Sequence, residues 1–516
     1  MERIVNTAYG TKKALNSVIA LKKRFLYSES AKSAKAYMSL RAGTLAFAIF
    51  LYYFIENGTL GLFPERWYMI YRNMRVSDIL LYGLIGYSLY NIREFSDLFK
   101  SKSFLIAKIF LGYLLLEFGL SAIRYHFDVV EYFFRLKGIW SSFLILPFML
   151  LLKRGGLMAL IKIVLPVAII SNILYILTAL TGQPFLPDVS IITQRLPWGM
   201  TVYRVYGGTF NGELYLFGFM YFWIAKRFKL YQLFLAILFL TPHILAFGRT
   251  AWISIVFAIV GMIIINWLKQ RNFAIFFRQI FIVFIFMVSS IIAFIKFIPE
   301  SDYYVDAIRA RIFQGVEDVK YSEGTYDTRV HFQNDALLKL WSQTNPFIGV
   351  GMHPMWVVRP ENHEEQVWYN AFCDVTWPAV LAAYGLIGFA LALLYQFYCM
   401  GMSYKLISKL REINILTFFL TFAFIKLVFD TFVCYSYALT SVGLWGFNFL
   451  NFYTAAFVYC YEKYKQEKKE DELQEIKENA TMNNNNNGKS SNLPLLRKIL
   501  QNNHFFPNQK NGSDKW

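Results

Sequence analysis

Apolar residues come along most of this chain in runs close to the roughly 20 residues that carry a helix across about 30 Å of hydrocarbon. Twelve such runs stand at about 42–58, 77–91, 103–123, 138–152, 156–180, 210–225, 230–247, 250–268, 279–298, 374–400, 413–435 and 437–460. Polar and charged residues gather between them and at both ends. The pattern predicts an all-α polytopic membrane protein of about twelve transmembrane helices, with a cytoplasmic segment over 1–41 and spans 1–9 over 42–298. A large, partly helical extracytoplasmic loop follows at 299–373, then spans 10–12 at 374–460. The mixed Lys/Glu composition from 461 to 516, with its Asn run, predicts a disordered cytoplasmic tail. Within the large loop, 330–342 reads as a helix and 345–351 as a turn.

Composition supports this picture. The chain is 56% hydrophobic and only 17% charged, with a mean hydropathy of +0.37. Disorder needs low hydrophobicity, and a nucleic-acid binder needs its basic residues on a soluble face, so neither class fits and no nucleic acid is expected as a partner. Four scattered cysteines show no metal-ligand spacing and no disulfide framework. No metal or cofactor is therefore expected. The net charge of +18 bears on topology. With the N-terminus inside, most Lys and Arg fall in the tails and in short inner loops such as Lys153-Arg154 and Lys226-Arg227-Lys229. That bias predicts both termini in the cytoplasm.

The outer face then holds four patches with chemistry. They are Arg204 to Glu213, entering span 6; Gly248-Arg249-Thr250-Ala251-Trp252, between spans 7 and 8; Arg329, Trp341 and Asn345 to Gly351 in the large loop; and Asp374 to Trp377, leading into Tyr384-Gly385-Leu386-Ile387-Gly388. Arginine at an outer span edge gains nothing from the orientation rule and is costly in lipid. Its planar fork suits phosphate oxygens. Glycines allow close backbone approach, and a carboxylate at the membrane edge can take a proton from an attacking hydroxyl. Simpler roles stand beside these: a snorkelling arginine, a turn at Asn345–Gly351, Asp374 as a helix N-cap, His353 and His363 as solvated loop residues. Lys426 and Asp430 are spaced to pair along one helix. Outer aromatics such as Trp198, Tyr203 and Trp377 are candidates for stacking on sugar rings.

In order and spacing, the four patches resemble the O-antigen ligase/polymerase superfamily of bacterial polysaccharide assembly, over roughly residues 200–400. The family's Arg before a Gly-x-Phe-x-Asn-like span entry matches Arg204, Gly208, Phe210 and Asn211. Its Arg-x-Ala-Trp-like hairpin matches Arg249 to Trp252. Its loop Arg, Trp-bearing helix and Asn-Pro-x-x-Gly-x-Gly match Arg329, Trp341 and Asn345–Gly351. Where many ligases carry His, eleven residues before the Gly-Leu-x-Gly signature, this chain has Asp374. That departure looks more like the repeat-unit polymerases.

The resemblance implies a metal-independent, inverting membrane glycosyltransferase of the bacterial cytoplasmic (inner) membrane. It would polymerise undecaprenyl-pyrophosphate-linked oligosaccharide repeat units at the outer leaflet, making O-antigen, lipopolysaccharide or exopolysaccharide chains. Its partners would be the lipid-linked donor and acceptor, the bilayer and a chain-length regulator. Arg204, Arg249 and Arg329 would bind pyrophosphate, with Asn211, Glu213 and Trp377 also lining the site. Asp374 would be the base, with His363 in reserve and Arg249 acting on the leaving charge. The alternatives are an O-antigen ligase transferring glycan to lipid A core or protein, and a lipid-linked oligosaccharide flippase or transporter.

Overall fold

The structure, a computed structural model, describes residues 40–56, 69–71, 74–126, 140–185, 190–195, 201–206, 212–224, 230–245, 249–270, 327–353, 361–374, 377–409, 415–432 and 448–486, with isolated positions at 63, 64, 67, 133 and between 281 and 321. It is predominantly helical. Helix α1 covers 40–56. A two-strand ribbon, β1 (Met69–Tyr71) and β2 (Met74–Arg75), leads into α2 (Val76–Tyr90). There follow α3 (Leu105–Tyr125), α4 (Ile145–Lys153) and α5 (Leu157–Thr181). Strands β3 (Ser190–Arg195) and β4 (Thr201–Tyr206) precede α6 (Gly212–Ile224), α7 (Leu230–Leu245) and α8 (Arg249–Gln270). The connection between α8 and α11 contributes a π-helix (Thr328–Gln333), α9 (Asn334–Gln343) and α10 (His363–Asp374). Helices α11 (Trp377–Lys409), α12 (Ile415–Phe432) and α13 (Asn448–Asn486) complete the described chain.

Among the described residues, three stretches are long and apolar enough to cross a membrane: Lys102–Tyr125, Leu157–Thr181 and Trp377–Ile407. Shorter apolar helices lie at Val76–Tyr90, Ser142–Lys153, Tyr231–Leu245, Trp252–Gly261 and Ile415–Phe429. Large apolar side chains are exposed on these helices as well as buried, including Leu116 and Ile123 on α3, Ile170 and Leu180 on α5, and Leu394 and Phe397 on α11. A helix apolar all round suits a lipid solvent. Most of the predicted span 9, most of the first half of span 12 and nearly all of 1–41 lie outside the described residues.

Helices α5, α6, α7, α8 and α12 share one core, built on Leu216, Phe219, Met220, Phe239, Phe422 and Ile425. Phe217 meets Phe418, Phe419 and Phe422 at ring-centre distances of 5.5–5.7 Å. One polar contact in this bundle has a clear cause. Pro242 lies inside α7 and has no N–H to give the carbonyl of Leu238, four residues earlier. Asn172 of α5 supplies the donor instead, its Nδ2 2.7 Å from that oxygen. Within lipid such a replacement is needed, because no water is available.

On the predicted inner side, Arg154 follows α4 with its side chain only 3% exposed. Its Nε and Nη2 donate to the two oxygens of Glu94 at 2.9 and 2.8 Å, and Nη1 donates to the Tyr87 hydroxyl at 2.9 Å. The hydrogen bonds from Arg154 hold the Glu94 carboxyl below its ordinary pKa. A charge expected only to orient the chain therefore also ties α2, α4 and their connections together.

Two expectations need correction. The all-α reading has no strands, yet the connection between α5 and α6 folds over its described part as an antiparallel hairpin with Ile192 opposite Arg204 and Thr193 opposite Tyr203. Its β-branched and aromatic residues favour that pleated form. The Tyr203 ring packs on Gly182 just after α5, which gives this aromatic a structural partner. The second correction concerns the tail. The chain divides into two units, Met1–Tyr461 and Glu462–Trp516, and in the second the residues to Asn486 are helical rather than disordered. Pairs at helical spacing, Lys463–Glu467 and Lys468–Glu472, show how a Lys/Glu mixture sustains a helix.

Candidate functional site at a broken helix

Helix α11 is broken at Gly385, whose φ of 61° and ψ of −168° are non-helical. Such a break frees backbone groups on both sides, and in lipid each must find a partner. The partners come from the connection that precedes α11. The N–H of Val350 donates to the Ala382 carbonyl at 2.9 Å, and that of Gly351 to the Ala383 carbonyl at 2.6 Å. Beyond the break, the N–H groups of Leu386 and Ile387 donate to the carbonyls of Pro346 and Phe347 at 2.9 and 3.1 Å. The segment Asn345–Gly351 is thus bonded into α11 like a short missing strand. The Gly385 Cα lies directly against the Phe347 carbonyl, leaving no room for a side chain. Two of the motifs noted in the sequence, Asn345–Gly351 and Tyr384–Gly388, are one physical unit.

Helix α3 closes the back of this unit. Arg124 Nη1 donates to the carbonyls of Gly349 and Val350 at 3.0 and 2.9 Å, and the Tyr125 hydroxyl also donates to Val350. The N–H of Met352 donates to Ser121 Oγ at 2.8 Å. Ser121 Oγ in turn donates to Glu117 Oε1 at 3.4 Å, and the Glu117 side chain is buried. Tyr113 donates to the Tyr384 carbonyl at 3.1 Å. Tyr113, Glu117, Ser121 and Arg124 recur at helical spacing, forming a polar stripe on an otherwise apolar helix. The stripe is readable in the sequence as polar residues at helical spacing within an apolar run. The Lys108 amine, outside it, donates to the Phe99 carbonyl at 3.1 Å.

His353 follows the docked segment. Its ring stands edge-on to Tyr125 at 4.6 Å, and burial lowers its pKa to about 4. The expected solvated histidine is a packed neutral one. His363, by contrast, is exposed, at the first position of α10.

The remaining candidates are placed by their backbones. Arg329 lies in the π-helix, which packs on both α9 and α10; α9 packs on α11. Trp341 of α9 donates from Nε1 to the Pro346 carbonyl at 3.0 Å, tying that helix to the docked segment. Asp374 is the last residue of α10, so it does not cap α11, which begins at Trp377. Trp377 meets Phe389 edge-on at 5.6 Å. Arg204 stands on β4, which packs on α5, and Arg249 opens α8. Glu213 is in the first turn of α6. Asn211, Trp198 and the side chains of Arg204, Glu213, Arg249, Arg329, Asp374 and Asp430 lie outside the described residues. The described contacts thus gather the π-helix, α9, α10 and the docked segment at α11, while Arg204 and Arg249 belong to the neighbouring bundle.

No protein-family profile and no curated protein matches the chain.

Proposed function

We propose that this protein is a membrane glycosyltransferase that joins lipid-linked oligosaccharide repeat units at the outer leaflet. The observation that carries the reading is the docking of Asn345–Gly351 into the break at Gly385. It makes one rigid unit of two sequence motifs whose family resemblance is to polysaccharide polymerases, and it anchors the Arg329 and Trp341 elements there. In this reaction the acceptor hydroxyl attacks the anomeric carbon of the donor saccharide. The bond from that carbon to the pyrophosphate oxygen breaks with inversion, and the hydroxyl proton passes to Asp374. Arg204, Arg249 and Arg329 carry the charge of the departing undecaprenyl pyrophosphate by electrostatic stabilisation of the transition state. Pyrophosphate is a good leaving group, so a cationic clamp and one base suffice.

The test is the glycan profile of the host. Deletion of the gene should leave single repeat units on the acceptor, and Arg249→Ala should reproduce that profile at normal protein abundance. Accumulation of long lipid-linked chains would instead identify a ligase, and an unchanged profile would refute the enzyme. Arg249→Lys should rescue only part of the activity, because an ammonium lacks the guanidinium fork.

A further inference from the structure

Arg124 ends α3 with an exposed side chain, on the predicted outer side, where positive charge does nothing for orientation. Its two hydrogen bonds, to the carbonyls of Gly349 and Val350, both come from Nη1. Nε and Nη2 therefore donate to nothing among the described residues. The guanidinium is held from one side by the backbone of the docked segment and open on the other. Holding one nitrogen in this way removes much of the rotamer freedom that an exposed arginine otherwise loses on binding. Behind it lies the buried Glu117, whose Oε1 accepts from Ser121. A Cβ at position 351 would lie 2.7 Å from both Glu117 Oε1 and Ser121 Oγ, so the glycine leaves the room that this pair occupies behind the guanidinium.

We infer that Arg124 is a further anion-binding residue of the outer site, presenting its Nε–Nη2 edge to two oxygens of a phosphate group. This rests on the proposed function, in which that group belongs to the pyrophosphate of the lipid-linked donor or acceptor. An Nε–Nη2 edge makes two parallel hydrogen bonds to a tetrahedral oxyanion, the geometry in which arginine exceeds lysine.

The experiment separates anion binding from support of the loop. Full-length protein in lipid nanodiscs is titrated with inorganic pyrophosphate, and limited proteolysis from the outer side reports whether 345–353 stays docked. Arg124→Lys keeps an N–H donor long enough to approach the two carbonyls and loses the guanidinium fork. It should bind pyrophosphate roughly tenfold more weakly, the loss expected for one charge-assisted hydrogen bond, with an unchanged cleavage pattern. Arg124→Gln, which also loses the charge and whose amide ends where arginine has Nε, should bind more weakly still. Unaltered pyrophosphate affinity in both variants would overturn the inference while leaving the proposed function standing. Weakened binding accompanied by new cleavage in the loop would also overturn it, making Arg124 a support only. A wild type that does not bind pyrophosphate would remove both this inference and the clamp on which it rests.

Discussion

A side chain at position 385 would collide with the Phe347 carbonyl while its backbone held a φ of 61° and a ψ of −168°, a region open essentially to glycine that costs other residues about 1–3 kcal/mol. Gly385→Ala should therefore undock Asn345–Gly351, with an expected cost of about 2–5 kcal/mol from strain and overpacking together. Thermal unfolding in detergent and outer-side proteolysis both report it. Gly351→Ala, with a φ of +78° and contacts at 2.7 Å to Glu117 and Ser121, should act in the same direction. A second residue-level prediction concerns Asn172. Asn172→Ala strands the Leu238 carbonyl and should destabilise the protein by about 1–3 kcal/mol. Pro242→Ala restores an N–H at the fourth residue after Leu238. In the Asn172→Ala background it should recover much of the loss, and additive effects in the double mutant would refute the pairing.

Elements were unevenly legible in the sequence. Long apolar runs predicted helices where the structure has α5 and α11, and the turn residues of Asn345–Gly351 predicted a turn. The break at Gly385 was not legible, because a Gly among Tyr384, Leu386 and Ile387 looks like any glycine in a membrane helix. It became a break only through bonds to a segment some 35 residues away in the chain, and local pattern carries no such information. The hairpin at 190–206 depends on pairing between 190–195 and 201–206, which a pattern of long apolar runs does not carry. For Arg204, Arg249 and Arg329, pattern supplied candidates, and convergence is a tertiary property that spacing alone cannot establish. At this scale the docked segment should respond to pH through His353. Its folded pKa, about 4, is below the ordinary 6.5, so the folded state binds fewer protons than the unfolded state between those values. The stability it contributes is full above about pH 6.5 and falls as pH drops toward 4. Burial is the cause of the shift, with the imidazole packed edge-on to Tyr125. Docking, followed by outer-side proteolysis, should loosen over that range, and His353→Gln should flatten the response. A profile unchanged by the substitution would assign the loosening to another group.

The whole molecule joins a scaffold with helices long and apolar enough to span a membrane to an arm, 327–353, fixed at one helix break. Part of its positive charge holds the scaffold, as Arg154 does between Glu94 and Tyr87. Another part is proposed to work at the outer edge on a pyrophosphate. The two roles separate in liposomes of defined orientation. Purified protein is reconstituted with an undecaprenyl-pyrophosphate-linked oligosaccharide as the only saccharide, and products are resolved by length. The account predicts a ladder of joined repeats on the lipid, with undecaprenyl pyrophosphate released for each bond formed and no ladder from Arg249→Ala. Wild-type protein that leaves the oligosaccharide at its starting length, or merely moves it across the bilayer, would contradict the central claim.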